Sequence, residues 1–237
     1  MEDPYVYKDT GTLINKLGIK DYEELRKAES DISFVKLLSV DANVDCHKFD
    51  LEYIQNIHKY VLGDIYDWAG EFRTVPMEKS EEVLGGDTVR YSYPKEIIPK
   101  AQKYINEINS INWNNIELED KALKFSKLIA GLWQVHPFRD GNTRTIITYA
   151  FRFAEEHGFK MDRNLILENF GYVRNALVKA SDGEYSEYKY LTHIVRDSIK
   201  NGQESVENNN NAKVAKSKEE SEEERSKVTF YKFRHNI

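Results

Sequence analysis

The chain has 237 residues, a formal net charge of −6 and one cysteine, Cys46. This length allows one or two domains with a buried core, and the acidic balance excludes a general nucleic-acid-binding protein, which needs a basic face for the phosphates. One cysteine excludes an intrachain disulfide, and the lack of a second cysteine–histidine cluster excludes a structural zinc site.

The sequence shows no targeting or membrane-spanning segment. The first residues, MEDPYVYKDT, are acidic where a signal peptide would be apolar. No apolar run approaches the length needed to cross a bilayer. We therefore expect no membrane partner and a cytoplasmic location, or delivery into a host cell if the chain is an injected effector.

The predicted elements are mostly helices, so the expected fold class is all-α. The first begins after Asp50, a good N-cap, and its apolar residues recur at helical spacing until Gly70. Similar patterns predict helices over 98–111, 120–135, 142–158, 167–181 and 186–199.

One region interrupts the helical pattern. Residues 71–75 (EFRTV) and 88–94 (TVRYSYP) alternate apolar and polar side chains, and the turn signal GGD lies between them at 85–87. Alternation on both sides of a turn predicts a small β-hairpin.

The composition changes near residue 200. Residues 201–237 are polar, rich in asparagine and highly charged, so they form a tail that we expect to be disordered. The tail ends in the apolar sequence VTFYKFRHNI, for which docking as a strand and disorder both remain open.

The stretch HPFRDGNTRT, residues 136–145, concentrates polar chemistry between two helices. A helix that begins near Asn142 presents free N–H groups and a positive dipole end, which suits an anion, and Arg144 adds charge in the same turn. Asp140 offers a hard oxygen ligand for a divalent cation. His136 titrates near neutral pH, which suits a general base.

Each of these residues also has an ordinary structural interpretation. Histidines are often simply half-buried, Asp140 followed by Gly141 is a common turn, and an aromatic such as Phe138 is usually core. Arg139 is more typical of a solvated position. Because all the parts fall in one loop, their combination favours an anion site with a base beside it.

The segment HPFRDGNTR resembles the signature of the Fic (filamentation induced by cAMP) family, H-x-F-x-D/E-G-N-x-R. His58–Val75 is similar to the helix and the start of the flap that precede this signature. Gly11–Asp21 is similar to the N-terminal segment of the bacterial branch that contains injected effectors and toxin–antitoxin members. The resemblance covers roughly residues 5–200, so it implies a Fic domain over 1–200.

The resemblance implies a helical bundle with a β-hairpin flap. It implies a protein adenylyltransferase, which moves AMP from ATP to a serine, threonine or tyrosine hydroxyl and releases pyrophosphate. The expected cofactor is Mg²⁺ or Mn²⁺. The expected partners are a protein substrate held along the flap and a small antitoxin-like inhibitor, with no nucleic acid and an unknown oligomeric state.

The same resemblance assigns roles to individual residues. His136 would deprotonate the incoming hydroxyl and Asp140 would hold the metal, while catalysis would also use Asn142 and Arg144, the latter on the phosphates beyond the α position. Nucleotide binding is assigned to Phe138, Arg139, Gly141, Asn142, Thr143, Arg144, Tyr172 and Asn175, the last two toward adenine. Target binding is assigned to Arg73, Thr74 and Val75 of the flap.

The sequence departs from the family pattern at two positions. Thr143 replaces a glycine, which a helix start tolerates, and Ile147 replaces a second arginine that usually contacts the γ-phosphate. The inhibitory pattern S/T-x-x-x-E-G/N is also absent, so we expect no self-inhibition through it. Two alternatives stay open: transfer from another nucleotide or phosphoryl donor, and a non-catalytic binding module with this fold.

Overall fold

The computed structural model describes residues 3–205, which contain eight α-helices and no regular β-strand. The helices are α1 (Tyr22–Asn43), α2 (Leu51–Leu62), α3 (Ile97–Ser110), α4 (Leu118–Val135), α5 (Asn142–Glu156), α6 (Arg163–Glu168), α7 (Phe170–Ala180) and α8 (189–205). The prediction of an all-α fold is confirmed.

Helix α1 was missed by the sequence analysis. Its apolar pattern is weak because few of its residues are buried, Leu25 and Val40 among them. A local signal was present nonetheless, since the Asp21 side chain accepts a hydrogen bond from the Glu24 amide and caps the helix. Asp50 caps α2 in the same way, through the Tyr53 amide at 3.0 Å.

Helix α4 lies at the centre of the core and packs against α3, α5 and α7, while α2 packs against α1 and α5. Gly131 of α4 lets α3 approach closely, because a Cβ there would lie 2.3 Å from the Tyr104 ring. This packing fixes the end of α4 and the start of α5, and therefore the loop between them.

The predicted β-hairpin is wrong as a regular element. Between α2 and α3 only one antiparallel bridge forms, between Ser80 and Thr88. The reason lies in Arg73. Its backbone N–H donates to Pro137 O at 2.9 Å, and its side chain donates to the Ser92 carbonyl of the opposite arm. The two arms therefore bond to the loop after α4 and to a guanidinium instead of to each other. We call residues 71–93 the flap segment.

The predicted domain boundary falls inside α8, which continues past residue 200 to 205. Residues 206–237 lie outside the described residues, and so do the predictions for the tail and its apolar end. Within 3–205, no helix combines the length and the apolar character that crossing a bilayer requires.

Candidate active site

The loop between α4 and α5 has a fixed shape set by its own residues. His136 ends α4 in the left-handed conformation, φ 51°, and is the one non-glycine residue with positive φ in the described chain. The Asn142 side chain closes the loop, because its Oδ1 accepts from the Phe138 N–H and its Nδ2 donates to the Phe138 carbonyl, both at 2.9 Å. The side-chain amide of Asn142, a residue predicted to act in catalysis and nucleotide binding, therefore shapes the loop.

Gly141 is required at its position for two reasons. Its φ is 72°, in the region that favours glycine, and a Cβ would lie 2.3 Å from Leu62 Cδ1 of α2. The close approach to α2 places the first turn of α5 beside a cavity that Gly141, Asn142, Thr143 and Arg144 all line. The backbone N–H groups of that turn lie where the sequence predicted an anion site, and we call this turn the anion cradle.

His58 supports this loop from its position on α2. The sequence alone did not indicate this role. Its Nδ1 accepts from the Gly70 N–H at 2.8 Å, so the proton is on Nε2, which donates to the Asp140 carbonyl at 3.0 Å. Its ring stacks on Phe138 with centroids 3.8 Å apart. Burial lowers the pKa of His58 to about 4, so it is neutral. The available signal was a histidine within the apolar stripe of α2.

The three predicted target-binding residues separate in the structure. Arg73 is buried, with 2% of its surface exposed, and donates to the carbonyls of His136 at 2.7 Å, Val75 at 2.6 Å and Ser92. Its side chain therefore clamps the loop and is not exposed for contact with a target, in contrast to the prediction. Val75 is also buried, whereas Thr74 is exposed and its N–H donates to the Tyr5 hydroxyl at 3.1 Å.

A cavity of about 560 Å³ opens above the loop. Its floor is the loop and first turn of α5, with His136, Asp140, Gly141, Asn142, Thr143 and Arg144. Its walls come from α1, from Trp133 of α4, from α6 and α7, and from Lys79 of the flap segment. The wall residues include Arg26, Glu29, Ser33, Phe34, Leu37, Leu167, Phe170 and Arg174.

His136 has the properties of a general base. It is 3% exposed, and neither ring nitrogen has a hydrogen-bond partner within residues 3–205. Its ring stacks on Tyr91 with centroids 4.0 Å apart, and Trp133 packs edge-on against it. Burial, reinforced by the positive charges of Lys79 and Arg73, holds the pKa of His136 well below its usual value. The imidazole is therefore neutral and able to accept a proton.

Asp140 lines the same cavity as an ionised carboxylate. Burial alone would raise its pKa, but Lys79, Arg144 and the Gly141 amide, which donates to Oδ1 at 2.6 Å, together hold that pKa below the usual value. No cluster of three or more metal-ligating side chains occurs in the described part of the chain. One carboxylate fits a Mg²⁺-type ion that takes its remaining ligands from phosphates and water.

Three cations that line the cavity were not predicted from the sequence: Arg26, which pairs with Glu23 on α1, and Arg174 and Lys79. Arg174 of α7 forms a two-point ion pair with Glu81 at 2.8 and 3.0 Å, which anchors the flap segment to α7. That anchor holds Lys79 near Asp140 and His136, and no ion pair of Lys79 occurs among residues 3–205. Positive charge in a distant loop leaves no local pattern in a sequence, so only the fold reveals it.

Four predicted nucleotide-binding residues do not line this cavity. Phe138 is fully buried in the core, and Arg139 forms an ion pair with Asp3 at 2.7 Å. Tyr172 and Asn175 are exposed on α7, and the Tyr172 hydroxyl donates to a backbone carbonyl of α8. The apolar surface of the cavity, on which the base of a nucleotide could pack, is instead formed by Phe34, Leu37, Leu167 and Phe170.

Thr143 and Ile147, the two departures from the sequence pattern, both fit without strain. The Thr143 hydroxyl accepts from Trp133 Nε1 at 3.0 Å, so it fixes the ring that packs against His136. Ile147 is buried in the core and does not line the cavity.

Comparison with known proteins gives consistent results for family and fold. Residues 48–154 match the model of the Fic/DOC family. Over 198 residues the chain is 32% identical to "Protein adenylyltransferase VbhT" of Bartonella schoenbuchensis, covering 83% of this chain and 39% of that protein. This chain therefore spans well under half the length of that relative. "Probable protein adenylyltransferase y4lH" of Sinorhizobium fredii is 24% identical, over 69% of this chain and 81% of that protein.

Two solved structures share the fold. The BepC protein of Bartonella tribocorum, a VirB-translocated effector with bound AMPPNP, superposes with a TM-score of 0.67 at 23% identity, over 84% of this chain and 97% of that one. The N-terminal Fic domain of a VirB-translocated effector from Bartonella quintana superposes with a TM-score of 0.67 at 24% sequence identity. The match covers 84% of this chain and 92% of that one. At these identities the likeness concerns the fold.

Proposed function

Because the chain belongs to the Fic/DOC family through residues 48–154, we propose that it is a protein adenylyltransferase. It moves AMP from ATP to a serine, threonine or tyrosine hydroxyl of a target protein and releases pyrophosphate. The observation that carries this proposal is a buried, neutral His136 whose two ring nitrogens have no partner among residues 3–205, beside a helix N-terminus and an ionised carboxylate. The names of VbhT and y4lH, both adenylyltransferases, agree with this activity.

His136 is the base in this proposal. The target hydroxyl oxygen attacks the α-phosphorus of ATP while its proton passes to a ring nitrogen of His136. The bond from the α-phosphorus to the bridging oxygen breaks, and pyrophosphate leaves with the bonding electron pair. Tyr91 and Trp133 hold the ring in place during the transfer, and Arg73 holds its backbone carbonyl.

The phosphates lie on the first turn of α5. The backbone N–H groups of Asn142 and Thr143 and the guanidinium of Arg144 stabilise their negative charge where it develops. A divalent ion on Asp140 would neutralise charge on adjacent phosphates. The base of the nucleotide packs on the apolar wall that includes Leu167 and Phe170.

The target segment lies along the exposed side of the flap segment. Thr74, Pro76, Tyr93, Pro94 and Lys95 enclose a shallow second cavity of about 350 Å³ there. An extended target segment in this position presents one hydroxyl toward His136 and is recognised mainly by its shape and main chain.

The position of the transferred label tests the proposal. The chain is incubated with a cell lysate and ATP labelled at the α- or the γ-phosphate. Protein labelled from the α position supports adenylyl transfer. Label from the γ position alone supports the phosphoryl-transfer alternative that Ile147 leaves open, and no label from either supports a binding module.

Removal of the metal gives a second test. Excess chelator and Asp140→Asn should each lower the rate of transfer by about a hundredfold or more, because the charge on two adjacent phosphates is then unneutralised. Added Mn²⁺ or Mg²⁺ should restore the chelated wild type but not the variant. Full turnover in chelator would contradict a metal-dependent site.

Location and control remain predictions. Cytoplasmic action is the first expectation, and delivery into another cell is the second, suggested by the VirB-translocated proteins that share the fold. A small inhibitor protein is also a prediction, and co-purification of a small protein with the tagged chain from the cells that make it tests this prediction.

A further inference from the structure

Arg144 is held by groups from two other elements of the fold. Its Nη2 donates to Glu29 Oε1 of α1, and its Nη1 donates to Ser33 Oγ one turn later, at 2.7 Å. The second carboxylate oxygen, Glu29 Oε2, accepts from the Tyr66 hydroxyl. The ion pair is largely removed from water, with 19% of the Arg144 side chain and 12% of the Glu29 side chain exposed.

These contacts hold Arg144 without using all of its hydrogen-bonding capacity. A guanidinium carries five N–H donors, and Glu29 and Ser33 take one each. The other donors have no hydrogen-bond partner among residues 3–205. Both oxygens of Glu29 are engaged, so the carboxylate is fixed on the α1 side of the cavity and is not a free anion that competes with phosphate.

We propose that Glu29 is a positioning residue that orients Arg144 for the phosphates beyond the α position of the nucleotide. The inference rests on the proposed adenylyl transfer from ATP. An arginine side chain loses much rotamer entropy when it is ordered, and Glu29, Ser33 and Tyr66 order Arg144 before the nucleotide arrives. Ordering of Arg144 matters more in this chain because Arg144 is the one arginine in residues 142–149. Ile147 stands where the family pattern has a second arginine.

The test measures the affinity of the full chain for ATP and for AMP by titration calorimetry. Glu29→Ala should weaken ATP binding about tenfold, because Arg144 must then be ordered during binding. AMP binding should stay unchanged, since AMP lacks the phosphates that Arg144 contacts. Glu29→Gln keeps an acceptor for Arg144 and should restore most of the ATP affinity. Glu24→Ala, exposed on the same helix, is the matched control.

Two further variants make the result specific to Arg144. Ser33→Ala removes the other hydrogen bond to Arg144 and should weaken ATP binding about threefold, in line with the loss of one part-buried hydrogen bond. In an Arg144→Met background, Glu29→Ala should change ATP affinity no further, because the group that it positions is gone.

Several results would overturn the inference. Unchanged ATP affinity in Glu29→Ala removes the positioning role, and tighter ATP binding in both Glu29 variants means that the carboxylate opposes the phosphates. Equal loss of ATP and AMP affinity, with a lower melting temperature, means that Glu29 only supports the fold. If the variants show the expected changes in ATP affinity but the wild-type chain transfers no AMP, the proposed function is contradicted and the positioning role of Glu29 still holds.

Discussion

Two buried histidines lie on opposite sides of the loop between α4 and α5, and they differ in their hydrogen bonds. His58 on α2 and His136 at the end of α4 are 0% and 3% exposed, and burial lowers the pKa of both. His58 uses both ring nitrogens within the fold, whereas neither nitrogen of His136 has a described partner. Burial and pKa therefore do not separate a supporting histidine from the proposed general base, but hydrogen-bond status does.

The two sides of the loop are stabilised differently as a result. On the α2 side, His58 stacks on Phe138 and holds the Asp140 carbonyl, so its contacts contribute to stability. On the α4 side, the His136 ring stacks on Tyr91, and its hydrogen bonds are made by its backbone, the carbonyl with Arg73 and the N–H with the Trp133 carbonyl. The ring nitrogens of the proposed general base are therefore not used to stabilise the loop.

The largest expected effect separates the two histidines by activity. His136→Ala should lower the rate of AMP transfer by about a hundredfold to ten-thousandfold, because the general base is lost. ATP affinity should change little, since His136 is not part of the anion cradle. Transfer is measured with α-labelled ATP and binding by calorimetry, with His193→Ala, exposed on α8, as the matched control. Wild-type transfer by His136→Ala would end its assignment as the base.

The next effect separates the histidines by stability. His58→Ala should lower the free energy of unfolding by about 2–4 kcal/mol, because the Gly70 N–H and the Asp140 carbonyl lose a partner and the ring stack is lost. His136→Ala should lower it less, since no side-chain hydrogen bond is lost. Urea titrations of both variants measure the difference. Equal destabilisation would mean that the hydrogen bonds of His58 contribute little.

The third effect, of a size similar to the second, is a pH dependence of stability. The pKa of His58 is lowered from 6.5 to about 4 by burial, so the unfolded chain takes up a proton first as the pH falls. Above pH 6.5 the contribution of His58 to the free energy of unfolding is fully present. As the pH falls from 6.5 to 4, the free energy of unfolding should drop by about 3 kcal/mol because of this residue. His136 shifts in the same direction. The pH series is repeated on His58→Gln, where a slope as steep as in the wild type would contradict the linkage.

The local sequence predicted the signature loop well and the flap segment poorly. The loop from His136 to Arg144 takes its shape from its own residues, since Asn142 bonds to Phe138 four residues away and Gly141 supplies a positive φ. The flap segment takes its shape from distant partners, since Arg73 bonds to a carbonyl 63 residues away. Its alternating pattern matched burial only in part: Val89 and Tyr91 are buried as expected, but so is Ser92, and Tyr93 is exposed. Its backbone bonds to other groups instead of pairing as a hairpin.

The same distinction explains the residues that were missed or misplaced. Tyr172 and Asn175 lie on the predicted helix, but the register of α7 in the fold turns them away from the cavity. Glu29 contacts Arg144 across 115 residues of chain, and no spacing pattern encodes such a pair. His58 stood in an apolar stripe and gave a detectable signal, although that signal could not specify its partners.

By itself the sequence determined the all-α class, the bounds of the signature loop and the residue types that carry its chemistry, because caps, helical periodicity and glycine conformation act over a few residues. Only the tertiary structure decided which histidine is free to react, that Arg73 is a buried clamp, and that Lys79 and Glu29 reach the cavity. Those outcomes depend on burial and on contacts between residues far apart in the chain, which exist only once α1, α2, α4 and α5 have packed together.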